Sequence, residues 1–359
     1  MKESFTKDID QLNCLKMIAP GTPLREGLEN VLRAKTGALI VIGNSEEIMN
    51  IVDGGFNINS EFSPAYLYEL AKMDGAIIVS SDGKKILYAN TQLIPNPLIP
   101  SSETGIRHRT AERVARQTAE MVISISQRRN IITLYRGYTK YVIQETSKIL
   151  TKANQAIQTL EKYKSVLDQA MINLSALEFE DLVTLYDVAT VVQRTEMVMR
   201  IVTEIEHYII ELGNEGILVS MQLEELIGNV KENAEMVFKD YNIIEDREYS
   251  HFKKSIRNFS SEDLLELNNI VKLLGYTASN IDNIEYTVYP RGWRILRKIY
   301  RLPNSVVENL TYHFHNFQSI LKATIEELDD VEGIGEIRAR YIRDGLRRIQ
   351  EQVLLDRHI

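Results

Sequence analysis

The hydrophobic pattern changes its period near Glu145, and no single layer of helices or strands accommodates both parts of the chain. Before Glu145, short apolar runs such as Ala38 to Ile42 alternate with Gly, Pro and Asp turn signals, which is typical of buried strands between short helices. After it, apolar residues recur three or four positions apart from Ile149 to Leu174, as on one face of a long helix. We therefore predict a multidomain protein in which an α/β domain precedes all-α regions.

Three domains follow from this pattern. Residues 1–145 are predicted to form the α/β domain, with a mixed sheet flanked by helices, and residues 146–283 an all-α helical bundle. Residues 284–359 are predicted to form a second all-α domain, which carries slightly more Lys and Arg than Asp and Glu. Since the whole chain has a net charge of −8, any nucleic-acid site must be a local patch.

Local signals place the ends of several elements in the first domain. Thr22 followed by proline is typical of a helix start, and this helix is predicted to stop at Gly37. Ser63 followed by proline predicts a second short helix that ends near Met73. The Asp-Gly pair at 82–83 and residues 127–130 each predict a β-hairpin turn.

Similar signals occur in the bundle. Ser175 with Glu178 is predicted to form a capping box at the start of the next helix, which stops at Gly213. Ser260 begins a capping sequence for a later helix that ends at Gly275. No catalytic motif stands out in this part of the chain.

The composition excludes several classes of protein. Cys14 is the only cysteine, so neither an internal disulfide nor a Cys-based zinc site is expected. The N-terminal segment is polar, which argues against a secretory signal, and the apolar runs are too short to span a bilayer. We expect a cytoplasmic protein that does not contact membranes.

Two segments have the residue types of a phosphate and metal site. Residues 101–112, SSETGIRHRTAE, form a loop entering a helix, where arginine guanidinium groups, a histidine and free backbone N–H groups are able to bind an anion. Asp74 followed by glycine precedes a buried strand and is suited to hold a metal ion or a sugar hydroxyl. Each segment alone is as easily a solvated helix start or a turn, and only their combination is specific.

In combination, these segments resemble the diadenylate cyclase family. The Asp-Gly-Ala triplet at 74–76, the loop at 101–112 and the hairpin sequence ISISQRRNIITLYR all match its cyclase domain. The domain order, with a helical linker and a helix-hairpin-helix tail, is similar to that of the DNA-integrity scanning branch. Ile106 departs from the family pattern, which usually has threonine there, so no side-chain hydrogen bond is available at this position.

The resemblance implies a role for each matching position. Asp74 would orient the ribose 3′-hydroxyl and a divalent metal, either Mg²⁺ or Mn²⁺, and it would act in catalysis together with Arg107, His108 and Arg109. The implied ATP-binding residues are Asp74, Gly75, Leu93, Gly105, Ile106, Arg107, His108, Arg109, Thr110, Ser126 and Arg128. The implied reaction joins two ATP molecules into cyclic di-AMP and releases two pyrophosphates.

The same resemblance implies an assembly. Two ATP molecules held in two subunits must face each other across a symmetric contact, so a monomer is expected to be inactive. The family forms a homo-octamer, to which the linker domain is expected to contribute.

The C-terminal sequence from Leu328 to Arg340 has the form of a helix-hairpin-helix. Gly333 and Gly335 would permit a tight hairpin, Ile334 would pack on the core, and Arg338 would approach a DNA phosphate. Residues 302–310 resemble a degenerate first hairpin. The resemblance implies that the tail binds branched or duplex DNA, that this binding modulates synthesis, and that the protein associates with the nucleoid. A simple helix–helix turn is the alternative, and His313 and His315 are assigned no role.

Two other functions fit the sequence. One is a repair factor whose tail binds DNA, although the chain has neither a P-loop motif nor the clustered carboxylates of a two-metal nuclease. The other is a non-catalytic sensor of DNA structure that binds ATP only as a ligand.

Overall fold

The computed structural model describes residues 13–277 and 283–357. These residues form two compact units. The first comprises the described residues up to Gln155 together with Ile205–Met221, and the second comprises Ala156–Glu204 and the described residues from Gln222 onward. The boundaries predicted at residues 145 and 283 stay a prediction.

The first unit is built on a mixed eight-stranded sheet. Its strands are β1 Ala38–Ile42, β2 Val52–Asp53, β3 Phe56–Glu61, β4 Ala76–Val79, β5 Lys85–Leu93, β6 Met121–Ser126, β7 Ile131–Arg136 and β8 Thr139–Val142. The order across the sheet is β2-β5-β4-β1-β6-β7-β8, and β3 pairs with β5. The central pair β1–β4 is parallel and the other pairs are antiparallel.

Helices cover both faces of this sheet. They are α1 Pro23–Arg33, α2 Glu46–Met49, α3 Pro64–Leu70 and α4 Ile106–Thr118. On one face, Leu28 of α1 and Leu67 of α3 pack with Ile40 of β1. On the other face, Ile48 of α2 and Val114 of α4 join a second apolar cluster. Successive strand residues point to opposite faces of the sheet. Because helices cover both faces, strands such as β1 are buried along their whole length.

The remaining chain is helical. Its helices are α5 Thr146–Glu180, α6 Leu185–Leu212, α7 Ile217–Ile227, α8 Val230–Tyr241, α9 Tyr249–Arg257, α10 Ser261–Leu265, α11 Leu267–Leu273, α12 Trp293–Leu296, α13 Asn304–Phe314, α14 Phe317–Lys322, α15 Ile325–Asp329 and α16 Glu336–Asp356. In the second unit, Phe317, Leu328 and Leu346 share one core with Ala176 and Phe179 of α5. Among the described residues, no helix is both long and apolar enough to cross a membrane.

Most of the predicted signals are confirmed. The hydroxyl of Thr22 accepts a hydrogen bond from the backbone N–H of Arg25, and β1, β4 and both predicted hairpins are present. Helix α6 ends at Leu212, directly before Gly213. A reciprocal capping box joins Ser260 and Asp263.

Two helix ends and one helix division differ from the prediction. The first helix ends at Arg33 rather than at Gly37, and the helix that Ser63 begins ends at Leu70. The sequence after Ser260 forms two short helices, α10 and α11, in place of one. The strands β2 and β3 were not predicted, because their short, polar sequences lack an apolar run.

The capping box predicted at Ser175 and Glu178 is wrong. Both residues lie inside α5, where the hydroxyl of Ser175 donates to the carbonyl oxygen of Met171 at 2.9 Å. The next helix is capped by Thr184, whose backbone N–H donates to the carboxylate of Asp187 at 2.9 Å. A Ser-x-x-Glu pattern is compatible with a helix interior when tertiary contacts take up both side chains.

Those tertiary contacts form a buried polar network in the second unit. The carboxylate of Glu178 pairs with the guanidinium of Arg294 and accepts the hydroxyl of Tyr241 at 2.7 Å. Asp240 accepts the backbone N–H groups of residues 292–294, at 2.7 to 3.0 Å, and so caps α12. The pKa of Asp240 is raised to about 7, mainly by burial and then by the neighbouring Glu178 carboxylate. The network fixes α12 against α5 and α8.

Candidate functional site

The strand register brings the predicted site residues to one edge of the sheet. Leu39 is paired with Ala76, Ala38 with Ile125, and Ala76 with Thr91. The start of β4, the start of β1, the end of β6 and the end of β5 therefore share this edge. Neighbouring strands are about 4.8 Å apart, and β1 lies between β4 and β6. The start of β4 and the end of β6 are therefore roughly 10 Å apart across the sheet.

Asp74 and Gly75 immediately precede β4 at this edge, and both are exposed. Gly75 has a φ of +93°, and a Cβ at this position would lie 2.7 Å from the carbonyl oxygen of Thr91. Only glycine fits such a conformation so close to the neighbouring strand. The tight turn leaves the carboxylate of Asp74 at the exposed edge. Leu93, at the end of β5, is buried on the same edge.

The loop at 101–105 leads into α4, and this helix begins with the predicted anion-binding residues. The guanidinium of Arg107 lies against Gly37, where an added Cβ would be 1.8 Å from Nη1. The Nε atom of Arg109 donates to the backbone carbonyl of Glu103 at 3.3 Å. Gly105 is the N-cap residue of α4, and it leaves the N–H groups of the first turn without a side-chain cap.

His108 is buried between α4 and β6. Its Nδ1 atom lies 3.2 Å from the hydroxyl of Ser124, and its ring meets that of Tyr135 edge to face at 6.4 Å. Its Nε2 atom has no hydrogen-bond partner in the described part of the chain. Burial lowers the pKa of His108, and the Glu103 carboxylate only partly opposes this effect. A neutral ring that accepts from Ser124 would carry its proton on Nε2, which is then free to donate to a ligand.

Glu103 is the buried anchor of the loop. Its carboxylate accepts the hydroxyl of Tyr135 at 2.9 Å and forms an ion pair with Lys140. Burial by itself raises the pKa of Glu103, but the hydrogen bonds from Lys140 and Tyr135 outweigh burial, and the pKa lies below its ordinary value. At the other end of the loop, the carboxylate of Glu112 accepts the backbone N–H of Ser102 at 3.0 Å.

A cleft of about 370 Å³ lies between this loop and the β6–β7 turn. It is lined by Glu103, Thr104, Gly105, Ile106, Arg107, His108, Ser126, Gln127, Arg128 and Arg129. Its charged lining consists of three arginines and one carboxylate, and that carboxylate is already paired with Lys140. The cleft is therefore suited to bind an anion that carries several negative charges.

The structure divides the predicted ATP-binding residues into two groups on one edge. Residues 105–108 with Ser126 and Arg128 line the cleft. Asp74 and Gly75 immediately precede β4, Leu93 ends β5, and all three lie outside the cleft. Arg109 is exposed beside the loop, and Thr110 is half-buried in the second turn of α4.

Several residues of the site carry no clear signal in the sequence. The sequence pattern marks Gly37 only as a helix end, and it does not distinguish Glu103, Ser124, Arg129 or Tyr135. The sequence feature that points to Glu103 is its position inside the Ser-Ser-Glu-Thr-Gly segment at 101–105. The contact between Gly37 and Arg107 depends on the strand order, which the sequence does not display.

In the C-terminal hairpin sequence, a short turn joins two helices. Helix α15 is followed by a turn in which Gly333 has a φ of +82°, and α16 begins after Gly335. Ile334 is 7% exposed and belongs to the core, as predicted. Gly333, Gly335 and Arg338 are exposed, and the guanidinium of Arg338 donates to the carbonyl oxygen of Gly333.

Comparison with known proteins identifies both major parts of the chain. Residues 25–139 match the family described as DisA bacterial checkpoint controller nucleotide-binding, and residues 143–282 match the DisA bacterial checkpoint controller linker region. The DNA integrity scanning protein DisA of Clostridioides difficile is 62% identical over 357 residues, which cover 99% of this chain and 100% of that relative. The protein of the same name from Carboxydothermus hydrogenoformans is 60% identical over 347 residues, covering 96% of this chain and 98% of that relative.

Proposed function

Because the chain belongs to the family of the DNA integrity scanning protein DisA, we propose that it condenses two ATP molecules into cyclic di-AMP and two pyrophosphates. Residues 25–139, which match the nucleotide-binding domain of this family, lie in the first unit, and the sheet edge described above is the candidate active site. The observation that carries the proposal is the pairing, on one edge, of an exposed carboxylate at Asp74 with a cationic cleft about two strands away.

This separation suits one nucleotide lying along the edge. The triphosphate would occupy the cleft, where Arg107, Arg128 and the Nε2–H of His108 meet its oxygens. The ribose would lie towards β4, where Asp74 accepts a hydrogen bond from the 3′-hydroxyl and orients it. Leu93 and the backbone at Gly75 would contact the adenine.

The reaction is a phosphoryl transfer between two such nucleotides. The 3′-oxygen of one ATP attacks the α-phosphorus of the other, the bond to pyrophosphate breaks, and the hydroxyl proton is lost to solvent. A second transfer in the opposite sense closes the ring. Arginines fixed in place stabilise the charge that develops on the phosphate oxygens, and positioning does most of the remaining work.

The proposed divalent metal, Mg²⁺ or Mn²⁺, fits this donor set. Among the described residues, no group of three or more His, Cys, Asp or Glu side chains forms a metal cage. Mg²⁺ commonly uses one or two carboxylates together with substrate phosphates, and Asp74 supplies such a carboxylate. When bound, the metal would neutralise charge on the phosphates and orient them for in-line attack.

The proposed reaction needs two sites that face each other across a symmetric contact. Large apolar side chains are exposed around the edge: Ile94, Leu98 and Ile106 are 55%, 86% and 84% exposed. These side chains would be covered when two subunits meet. We extend the proposal to a homo-octamer, in which further contacts join such pairs.

We also propose that the C-terminal hairpin binds branched or duplex DNA and that this binding modulates synthesis, in the cytoplasm at the nucleoid. The exposed Gly333, Gly335 and Arg338 support a contact with the phosphate backbone rather than with base edges. Such contacts give affinity for DNA shape with little sequence specificity.

Product identification tests the proposal. The full chain is incubated with ATP and Mg²⁺, and the nucleotides are separated by chromatography and identified by mass. Cyclic di-AMP with pyrophosphate is the expected outcome. Formation of ADP would indicate an ATPase instead, and bound but unchanged ATP would indicate a non-catalytic sensor.

A further inference from the structure

A second cleft is built entirely from the second unit, between α6, α8 and α9. It has a volume of about 50 Å³ and is partly enclosed. None of the residues implied in ATP or DNA binding lines it. Its lining separates into an apolar floor and a charged rim.

The floor is formed by buried apolar side chains. Val237, Phe252 and Ile256 are 1%, 4% and 3% exposed, and Met199 and Val192 complete the surface. Phe252 belongs to an aromatic cluster, since its ring centroid lies 4.8 Å from that of Phe238 and 6.2 Å from that of Tyr249. A floor of this kind binds aromatic or branched aliphatic groups in preference to polar ones.

The rim is cationic. Lys231, Lys253 and Arg257 line it, opposed by a single carboxylate, that of Glu196. The Glu196 carboxylate is already paired with Arg200, whose Nε lies 3.1 Å away. The same carboxylate also attracts Arg257 and Lys253, so it offsets only part of the positive charge of the lining. A concave surface of positive charge is unexpected on a protein with a net charge of −8.

The two surfaces together define the chemistry of the ligand. A cavity needs about 10–15 Å³ to hold one water molecule, so this cleft of about 50 Å³ admits only a few atoms of a ligand. The edge of a ring or a branched chain has this size. The charged end of that ligand would remain at the rim, where an anion meets two or more cationic groups. A neutral ligand would lose these contacts, and a cation would be repelled by them.

We propose that this cleft binds a small organic anion, whose aromatic or branched aliphatic body sits on the Phe252 floor and whose carboxylate is held by Lys253 and Arg257. This cleft shares no lining residue with the cleft at the sheet edge, and ligand binding in it does not depend on the proposed cyclase reaction.

Fluorine NMR of the full-length protein tests this proposal, with para-fluorobenzoate as the probe. The neutral para-fluorobenzamide and the cationic para-fluorobenzylamine serve as matched ligands of similar size. We expect saturable line broadening with the benzoate and binding at least about tenfold weaker for the other two, since each lacks the charge-assisted contacts.

Two variants locate the site. In the double variant Lys253→Met and Arg257→Met, benzoate binding should weaken by about tenfold or more, whereas Lys254→Met changes a neighbouring exposed lysine outside the lining and should leave binding unchanged. Thermal melting of each variant checks that it is folded. If wild-type protein shows no saturable binding, or if the double variant and Lys254→Met bind the benzoate equally, the proposal is overturned.

Discussion

At the sheet edge that forms the candidate site, Arg107, Arg109 and His108 each contact a different neighbour. Gly37 gives the guanidinium of Arg107 room to lie flat, the carbonyl of Glu103 accepts from Arg109, and Ser124 contacts the ring of His108. Asp74 differs, because its side chain is exposed to solvent. With the proposed roles, the supported side chains would bind phosphate and Asp74 would act in catalysis.

Asp74→Asn should abolish most synthesis while leaving ATP affinity nearly unchanged. The amide keeps the size of the side chain but loses the negative charge that is proposed to orient the hydroxyl and the metal. We expect a loss of about a hundredfold or more in rate, measured by chromatography of products. Calorimetric titration with ATP is the matched measurement, and near-normal turnover by a folded variant would contradict the role of Asp74.

The burial of His108 predicts a pH dependence of stability. Because its pKa is lowered from the ordinary value of 6.5, the unfolded chain binds more protons at this residue than the folded protein just below that pH. Stability contributed here is therefore complete above pH 6.5 and decreases as the pH falls, by at most about 1.4 kcal/mol per pH unit.

Calorimetric melting of wild type and His108→Gln checks this expectation. The difference in Tm between the two should shrink as the pH is lowered through this range, because only wild type loses stability by protonating this ring. The exposed His251, changed to Gln in the same way, is the control. A Tm difference that stays constant with pH would show that the His108 environment does not disfavour protonation.

At the scale of elements, the sheet edge and the helix α4 form the site only because β1 lies between β4 and β6. This order places Gly37, which immediately precedes β1, against the guanidinium of Arg107 in the first turn of α4. The contact has a direct consequence for nucleotide binding.

Gly37→Ala should weaken ATP binding without unfolding the protein. The new methyl group would overlap the guanidinium of Arg107, and the far end of a flexible side chain moves more easily than the backbone. Loss of one charge-assisted phosphate contact corresponds to a decrease of about tenfold or more in affinity, measured by calorimetry. Gly228→Ala is the control, since that glycine is not in the left-handed region and a Cβ there would make only an ordinary contact at 3.8 Å. An unchanged ATP affinity in Gly37→Ala would remove Arg107 from the phosphate site.

The buried pair Glu178–Arg294 makes a second prediction at this scale. Arg294→Met should destabilise the second unit by about 3–5 kcal/mol, because Glu178 would remain buried without its cation. The double variant Glu178→Leu and Arg294→Met should recover part of this loss, since no buried charge is left unpaired. Urea unfolding followed by fluorescence of Trp293, the only tryptophan, measures both. Equal destabilisation in the single and double variants would argue against an electrostatic cause.

At the scale of the whole molecule, the C-terminal hairpin belongs to the same compact unit as Ala156–Glu204, which comprises most of α5 and the first part of α6. Phe179 of α5 shares a core with Phe317, and Glu178 pairs with Arg294. Removing the chain from Ile284 onward would expose this core, so point substitutions test the DNA proposal more cleanly than truncation.

Branched DNA that engages several hairpins of one oligomer should lower synthesis more than linear duplex. Multivalent binding favours the branched form, and small misalignments between facing sites reduce the rate of in-line attack strongly. Arg338→Glu should reduce both DNA binding and this inhibition, whereas Arg347→Glu, further along α16, should do neither. Cyclic di-AMP formation with a four-way junction measures the effect. Full inhibition of the Arg338→Glu protein would place DNA binding elsewhere.

The sequence by itself determined the local elements and the chemistry of the motifs. Apolar runs, caps and turn glycines predicted β1, β4, both hairpins and the long helices, because these features depend on neighbours within a few residues. It did not determine how the motif residues are held. Gly37 meets Arg107 through the strand order, and Glu178 meets Arg294 although 116 residues separate them. A Ser-x-x-Glu pattern therefore predicted a cap where the fold makes a buried ion pair, since only tertiary packing decides which polar side chains are removed from water.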